Sequence, residues 1–427
     1  MPPYANIPTM NVLRRSRRPP RLCPASGASR GPERNWRGLA AALLALPLGA
    51  AVAGEAAAPD ADGPWQWAGI YKLDLLHADA PSLNTGSGNL GLRADADAEA
   101  LFGWDDTRLH AELLWNHGGR PNLQVGTTQG LSDLEVERSG ARLYAAWIER
   151  QFERTGTRLL FGLYDLNSEF YATEASGLLI HPSFGIGVDL AQSGRNGPSI
   201  FPNLGLALRL RQALGASHYL QVAIIDGVPG DPAHPDRTVV RLSRHDGALL
   251  VAEAGWQQQG DDGPETGHWG FGAWHYTSVS ERLDGGAPER NQGAYALAQA
   301  ALWGTEAQRV AGFARAGVAN RAVDAVDLAF DAGLSALRPL GERGPDAATL
   351  GVAVARFGAA QRAAQAALGE SIAGNETALE VGARWQVRPD LALQPLLQRV
   401  WRPGGREGAA VNVAGLRAEW SFGPGSR

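Results

Sequence analysis

The stretch that decides the fold runs from Asn89 to Trp104 and reads Asn-Leu-Gly-Leu-Arg-Ala-Asp-Ala-Asp-Ala-Glu-Ala-Leu-Phe-Gly-Trp. Every second position, starting with Leu90 and Leu92, is apolar, whereas Arg93 and Asp95 lie between them. A period of two places alternate side chains on opposite faces of a β-strand. Soluble strands usually have about five or six residues, so the stretch predicts an unusually long strand with one apolar and one charged face.

The same alternation returns along the rest of the chain. Trp65 to Leu75 and Leu416 to Phe422 show it at the two ends. We count about sixteen such segments, an even number as single-chain bacterial barrels require. They are predicted near 65–75, 89–104, 107–117, 141–152, 157–165, 203–213, 218–225, 247–257, 267–278, 293–303, 307–319, 325–335, 347–358, 375–387, 389–401 and 411–422.

Strands with one apolar face and one charged face predict an all-β fold, a transmembrane antiparallel β-barrel. In lipid every backbone N–H and C=O must be paired internally, which strands achieve only in a closed ring. About sixteen strands leave a water-filled lumen that wall side chains cannot fill. Tryptophans near the segment ends, such as Trp104 and Trp115, fit the aromatic girdles of such barrels.

The N-terminus predicts a targeting segment. Eight arginines between Arg14 and Arg37 precede an apolar run, Leu39 to Val52, which has the length of a signal peptide. Ala51-Val52-Ala53 supplies the small residues expected before a cleavage site. We therefore interpret residues 1–53 as a signal peptide or targeting extension and residues 54–427 as the barrel domain. We expect a protein exported through the periplasm to the outer membrane of a Gram-negative cell.

Charge and composition exclude several classes of function. The targeting segment holds eight Arg and one Glu, so the remainder carries 31 basic and 43 acidic residues, an unfavourable balance for binding nucleic acid. The single cysteine, Cys23, lies in the targeting segment, so the mature chain has no disulfide. The nine histidines are scattered, without His-Glu-x-x-His spacing, and residues 54–427 contain no Gly-x-Ser-x-Gly elbow. We expect no enzyme activity, catalytic residues, metal or cofactor.

Long motifs in the chain resemble the carbohydrate-selective porin (OprB) family. They are Asn196-Gly-Pro-Ser-Ile-Phe-Pro-Asn-Leu-Gly-Leu-Ala-Leu-Arg-Leu-Arg211, Tyr219-Leu-Gln-Val-Ala-Ile-Ile-Asp-Gly-Val-Pro-Gly-Asp-Pro232 and the segment from Glu376 to Pro395. The resemblance extends over roughly residues 65–427. It implies a sixteen-stranded outer-membrane porin that passes mono- and disaccharides such as glucose by passive diffusion.

Residues 164–202 lack clean alternation, and a loop of this length is usually functional or disordered. In a wide barrel such a loop can fold inward and narrow the pore. A sugar channel needs hydrogen-bonding groups and flat aromatic faces along its path, with binding weak enough for release. The candidates in this constriction loop are Asp165, Asn167, Glu169, Tyr171, Glu174, Arg195 and Asn196. The candidates on the wall are Arg93, Asp95, Glu112, Arg209 and Arg211.

The sequence leaves several alternatives open. A general or ion-selective porin differs from a sugar channel only in the charge of its lumen. A barrel-based outer-membrane enzyme needs a Ser/His/acid set, which the sequence does not supply. A soluble exported β-protein conflicts with strands of ten or more residues. We expect sugars and outer-membrane lipid as partners, and the sequence does not choose between a monomer and a homotrimer.

Overall fold

Sixteen strands form a closed antiparallel barrel in the computed structural model, whose described residues are 63–259, 265–305, 308–341 and 344–424. Each strand pairs with its neighbours in chain order, and the first closes the ring on the last, with Tyr71 opposite Trp420. The predicted barrel is confirmed. The strands are β1 Trp65–Asp79, β2 Ser82–Asp97, β3 Thr107–Gly118, β4 Gly140–Phe152, β5 Thr157–Tyr164, β6 Gly205–Leu214, β7 His218–Asp226, β8 Ala248–Gln259, β9 Glu265–Ser280, β10 Glu289–Gly304, β11 Arg309–Ala319, β12 Val326–Leu337, β13 Ala347–Phe357, β14 Asn375–Arg388, β15 Leu391–Trp401 and β16 Ala410–Phe422.

Short helical elements lie in the connections between strands. None of the helices in the described ranges is long and apolar enough to cross a membrane. The predicted targeting segment, residues 1–53, lies outside the described residues. The α-helices are α1 Ala98–Phe102, α2 Pro121–Val125, α3 Val188–Ala191 and α4 Ala359–Ala367, and single 3-10 turns occupy Leu166–Ser168, Pro182–Phe184 and Pro403–Gly405.

The second strand ends earlier than the alternation predicted. Residues 98–102, expected to continue the strand to Trp104, form α1 instead. The Asp97 carboxylate accepts hydrogen bonds from the backbone N–H groups of Glu99 at 2.9 Å and Ala100 at 3.3 Å, so it caps the helix. Gly103 ends the helix with a φ of 70°. Alternating Ala and acidic residues fit a strand pattern, but the Asp cap and helix-forming Ala and Leu favour one helical turn.

The two faces of the barrel wall divide as predicted. Apolar side chains such as Leu208, Phe271 and Leu397 are exposed on the outside, where lipid covers them. Polar side chains such as Asp74 and Arg209 point inward and are buried by other parts of the chain. The outer face is therefore suited to lipid, and the inner face carries the polar groups of a lumen.

Loop length distinguishes the two ends of the barrel. All long connections, 119–139, 165–204, 227–247 and 358–374, leave from one end, whereas the longest at the other end are 98–106 and 338–346. Bacterial barrels have short periplasmic turns and long extracellular loops, so we assign the long-loop end to the cell exterior. Most exposed tryptophans form a girdle at the short-turn end, namely Trp65, Trp67, Trp104, Trp269, Trp303, Trp385 and Trp420.

Candidate channel constriction

The loop between β5 and β6, residues 165–204, folds into the lumen as the sequence predicted; we call it the inner loop. Inward side chains of other strands bind its backbone. The Glu253 carboxylate on β8 accepts a hydrogen bond from Tyr171 N at 3.0 Å. The Glu380 carboxylate on β14 accepts bonds from Ile180 N and His181 N, both at 2.8 Å. The loop therefore crosses the channel and is held from several strands.

Arg315 on β11 fastens the middle of the inner loop. Its guanidinium donates to the carbonyl oxygens of Tyr171 at 3.0 Å, Ser183 at 2.8 Å and Gly185 at 2.7 Å, and to the Asp331 carboxylate at 2.9 Å. The side chain is 1% exposed. Burying a charge this fully is tolerable because an opposite charge and several acceptors satisfy the planar guanidinium.

Apolar packing closes one side of the lumen. Phe170, Tyr171 and Leu190 of the inner loop pack on inward side chains of β5 to β10. The Tyr171 ring stacks on Tyr295 of β10, with ring centroids 4.0 Å apart and nearly parallel planes. Farther along the loop, Phe184 packs edge-to-face on Phe313 of β11. The remaining space therefore lies against the opposite wall, at β1, β2 and β4.

The loop between β3 and β4 also enters the lumen; we call residues 119–139 the second inner loop. Its composition, with Gly, Pro and Asn, is that of an ordinary surface loop. The Glu376 carboxylate on β14 accepts bonds from Thr128 N at 2.8 Å and Gln129 N at 2.7 Å. Asp74 on β1 accepts a bond from the Ser132 hydroxyl at 2.7 Å. Arg417 on β16 pairs with Asp74 at 2.7 Å and also contacts Asp133.

A cavity of about 360 Å³ lies between the two inner loops and the wall. Its surface combines amide, hydroxyl and carboxylate groups with seven apolar residues, a mixture typical of small-molecule sites. The wall contributes Lys72, Asn89 and Tyr144, and the second inner loop contributes Gln129, Asp133, Leu134 and Glu135. The inner loop contributes Asp165, Asn167, Pro182, Ser183, Gly185, Ile186, Val188, Ala191, Ile200 and Phe201.

Burial changes the acidity of the carboxyl groups that the loops bring to this cavity. Burial raises the pKa of Asp165, although hydrogen bonds from the Tyr144 hydroxyl at 2.5 Å and Asn167 N at 2.9 Å oppose the shift. Burial likewise raises the pKa of Glu135 to about 7, against hydrogen bonds from the backbone N–H groups of Asn122 and Leu123. Protonation near neutral pH therefore alters the charge of the cavity lining.

Two of the predicted constriction residues, Asp165 and Asn167, line the cavity. Glu169 lies beside it in an ion-pair cluster, where the Arg209 guanidinium bridges Glu169 and Glu149, at 2.6 Å to each. Arg209 is 1% exposed, so it is a buried anchor of the inner loop. These contacts join Glu169 of the inner loop to Arg209 of the wall, a pairing that the sequence did not predict.

The other loop candidates are spread over the inner loop. Tyr171 is fully buried, and Asn196 is buried with its amide donating to the Pro229 carbonyl at 2.6 Å. Glu174 is exposed and lies 4.0 Å from Arg309. Arg195 is exposed and pairs with Asp246 at 2.8 Å. Tyr171 and Asn196 thus pack the loop, whereas Glu174 and Arg195 reach solvent.

The other wall candidates lie on β2, β3 and β6, outside the cavity lining. Arg93 stands opposite Glu112 in the strand register, and Asp95 lies 2.7 Å from the His110 ring. Arg211 donates to Gln221 at 2.7 Å and covers the Tyr219 ring at 4.2 Å. The sequence candidates did not include Lys72, Asn89 and Tyr144, although Lys72 alternates with the apolar residues Tyr71 and Leu73 of β1.

A sequence profile of the carbohydrate-selective porin OprB family matches residues 84–422 of this chain. The chain belongs to the OprB family. The family and the fold are those of porins, which are channels and not enzymes, and they place the protein in the outer membrane. Within the part of the chain that the structure describes, no group of three or more His, Cys, Asp or Glu side chains could hold a metal ion.

Solved structures support the OprB assignment at the level of the fold. The high-pH structure of Pseudomonas putida OprB is 18% identical, with a TM-score of 0.72, over 84% of this chain and 94% of that one. The low-pH structure of the same protein is 17% identical, with a TM-score of 0.53, over 84% and 93% of the two chains. No curated protein sequence matches significantly. The resemblance inferred from the motifs is confirmed.

Proposed function

We propose that this porin passes neutral mono- and disaccharides by passive diffusion through the cavity between its two inner loops. The observation that carries the proposal is the cavity lining, where Asp165, Asn167 and Asn89 offer hydrogen-bonding groups beside the Phe201 ring. Sugars present hydroxyl groups at their edges and C–H groups on their faces, so such a lining suits them. A chain of weak contacts speeds entry without preventing release.

The candidate residues take different roles in this proposal. Asp165 and Asn167 contact sugar hydroxyls, because both face the cavity. Glu169 and Arg209 are positioning residues that hold the start of the inner loop to the wall. Tyr171 positions the loop by stacking.

In this proposal the remaining candidates contact the sugar before it enters the cavity or after it leaves. Glu174 and Arg195, which reach solvent, would meet the sugar outside the cavity. The wall residues that would line the path are Arg93, Asp95, Glu112 and Arg211.

The test is single-channel conductance in planar bilayers, with glucose, maltose and sorbitol titrated in. We expect the two sugars to reduce the current at lower concentration than sorbitol. Asp165→Asn keeps an oxygen that can accept from Asn167 N but removes the charge, so we expect sugar affinity to fall about fivefold to tenfold, as for loss of about 1–1.5 kcal/mol of hydrogen bonding. Glu370→Gln, in an exposed loop, is the matched control. Equal block by sugars and sorbitol would contradict sugar selectivity.

A cation-selective general porin is the second candidate, and the charge of the same lining favours it. Asp133, Glu135 and Asp165 face the cavity with Lys72, so carboxyl groups outnumber ammonium groups there. Rings of carboxylates attract cations. In a KCl gradient, a reversal potential near that of K⁺ combined with no effect of sugars would establish this function in place of the first.

We also propose that residues 1–53 direct export through the periplasm and are removed, which leaves 54–427 as the mature chain. The basic stretch, the apolar run and Ala51-Val52-Ala53 support the proposal. Mass spectrometry of the protein isolated from outer membranes measures its first residue. A mature N-terminus before residue 39, with the apolar run retained, would contradict removal of this segment.

A further inference from the structure

One segment of the β7–β8 connection lies along an unpaired edge of β4 at the long-loop end of the barrel. The β4–β5 ladder runs from Ala146 to Phe152 on β4, so residues 140–145 extend beyond the end of β5. Residues after β7 cover this exposed edge. The Thr238 hydroxyl donates to the Leu143 carbonyl at 2.7 Å, and Arg142 donates to the Pro235 carbonyl at 2.8 Å. We call residues 237–244, which continue from this contact, the arginine strap.

The strap is attached close to the outer membrane interface. Leu143 is 37% exposed on the outer wall, and its neighbour strand β3 places Trp115 opposite Ala141. Trp115 is also exposed outward, and tryptophans on barrel walls mark the boundary between lipid tails and head groups. Leu143 lies two residues along β4 from Ala141, the residue opposite Trp115, which is a distance of about 7 Å. Leu143 lies on the bilayer side of the Trp115 level, so the strap begins within about 7 Å of the boundary between lipid tails and head groups.

The strap combines exposed arginines with exposed aliphatic side chains. Val240 is 51% and Leu242 is 64% exposed, on either side of Arg241. Within the described part of the chain, Arg241 and Arg244 form no ion pair, and Arg237 approaches only its neighbour Asp236, at 3.8 Å. Arg241 lies near enough to Asp226 and Asp231 to influence them electrostatically, without direct contact. The guanidinium groups of Arg241 and Arg244 thus remain available, and that of Arg237 is exposed beside a single carboxylate, in a chain whose net charge is −5.

We propose that the arginine strap binds the phosphorylated head groups of anionic lipids in the outer leaflet. Guanidinium groups match phosphate geometry through paired hydrogen bonds. Basic residues interleaved with aliphatic ones suit the boundary between head groups and acyl chains, where Val240 and Leu242 contact the upper part of the tails. Each arginine near an anionic surface adds to the attraction. This binding is independent of what passes through the channel.

Lipid binding to the mature chain, folded in a zwitterionic detergent, tests the proposal. The probe is bis-phosphorylated lipid A, and native mass spectrometry measures the bound fraction. We expect the triple variant Arg237→Gln, Arg241→Gln, Arg244→Gln to bind lipid A about tenfold more weakly. The control triple, at arginines exposed at the short-turn end of the barrel, is Arg108→Gln, Arg154→Gln, Arg388→Gln. It carries the same change of charge, and we expect less than about a twofold effect.

One further double variant and one competitor make the outcome decisive. Val240→Ser with Leu242→Ser should weaken lipid A binding while leaving the arginines in place. Inorganic phosphate at millimolar concentration should not displace lipid A, because it has no acyl chains. Equal losses in both arginine triples would show nonspecific charge attraction and overturn the proposal. Full displacement by phosphate would show a free-anion site and overturn it too. Mobility of the unheated barrel on a gel verifies that each variant is folded.

Discussion

Replacement of Glu376 by alanine should release the second inner loop without unfolding the barrel. The buried Glu376 carboxylate accepts hydrogen bonds from the backbone N–H groups of Thr128 at 2.8 Å, Gln129 at 2.7 Å and Gly404 at 2.6 Å. Hydrogen bonds to a charged group contribute about 1.5–3 kcal/mol each. In the variant the released N–H groups form hydrogen bonds with water in the lumen, which recovers part of this free energy. We therefore expect the free energy that holds the second inner loop to the wall to fall by about 3 kcal/mol.

Hydrogen exchange followed by mass spectrometry measures this loss directly. Amide protection reports the free energy of local opening, so the peptide containing Thr128 and Gln129 should exchange about 100-fold faster in Glu376→Ala. We expect single-channel conductance to rise because the loop then no longer narrows the lumen. Glu370→Ala, in an exposed loop at the same end, should change neither quantity. Unchanged protection in Glu376→Ala, or an equal loss throughout 165–204, would refute the anchoring role.

Three further predictions concern the other parts of the structure. Burial raises the pKa of Glu135 to about 7, so the folded state binds the proton more tightly, and the free energy of unfolding should fall as pH rises from about 4.5 to 7. In urea titrations, Glu135→Gln should reduce this dependence of stability on pH. An unchanged dependence in the variant would argue against a role for Glu135. Leu208→Arg should make the free energy of folding into vesicles less favourable by about 2–4 kcal/mol, whereas Leu214→Arg at the strand end should change it by about 0–1 kcal/mol. Equal changes in the two variants would contradict the lipid-facing assignment. In Arg315→Lys the ammonium group cannot reach all the acceptors that the guanidinium binds, so the inner loop should loosen and the noise of the single-channel current should increase. Unchanged current noise would argue against Arg315 as an anchor of the inner loop.

The strands could be predicted because the bilayer imposes a simple rule on them. Each strand must present apolar residues to lipid at every second position, and this rule acts on local sequence alone. The boundaries observed for β3 and β14, Thr107–Gly118 and Asn375–Arg388, differ by one residue from the predicted 107–117 and 375–387. The rule fails where the chain leaves the bilayer, as at α1, because local capping by Asp97 then decides the conformation.

The candidate site could be predicted only in part because its contacts join distant parts of the chain. The absence of alternation identified the inner loop. The second inner loop carries the ordinary loop residues Gly, Pro and Asn, and its anchor Glu376 lies 248 residues from Thr128. Nothing local distinguishes an inward carboxylate that faces water from one that binds a loop. Arg209 and Tyr171 were therefore predicted as pore residues, whereas the structure buries both as supports of the loop.

Strand β14 connects the two inner loops mechanically. Glu376 and Glu380 lie on the same inward face of β14, and they bind the second inner loop and the inner loop, respectively. Gln398 of β15 strengthens the connection, since its amide donates to both the Glu380 carboxylate at 2.9 Å and the Leu131 carbonyl at 2.8 Å.

Most inward charged side chains of this region thus bind the inner loop or the second inner loop and hold it in place. Changes to these anchors should alter pore size and noise, and changes to cavity residues such as Asn89 and Asp165 should alter sugar affinity at nearly constant conductance. The two kinds of effect separate the residues that shape the channel from those that select what passes through it.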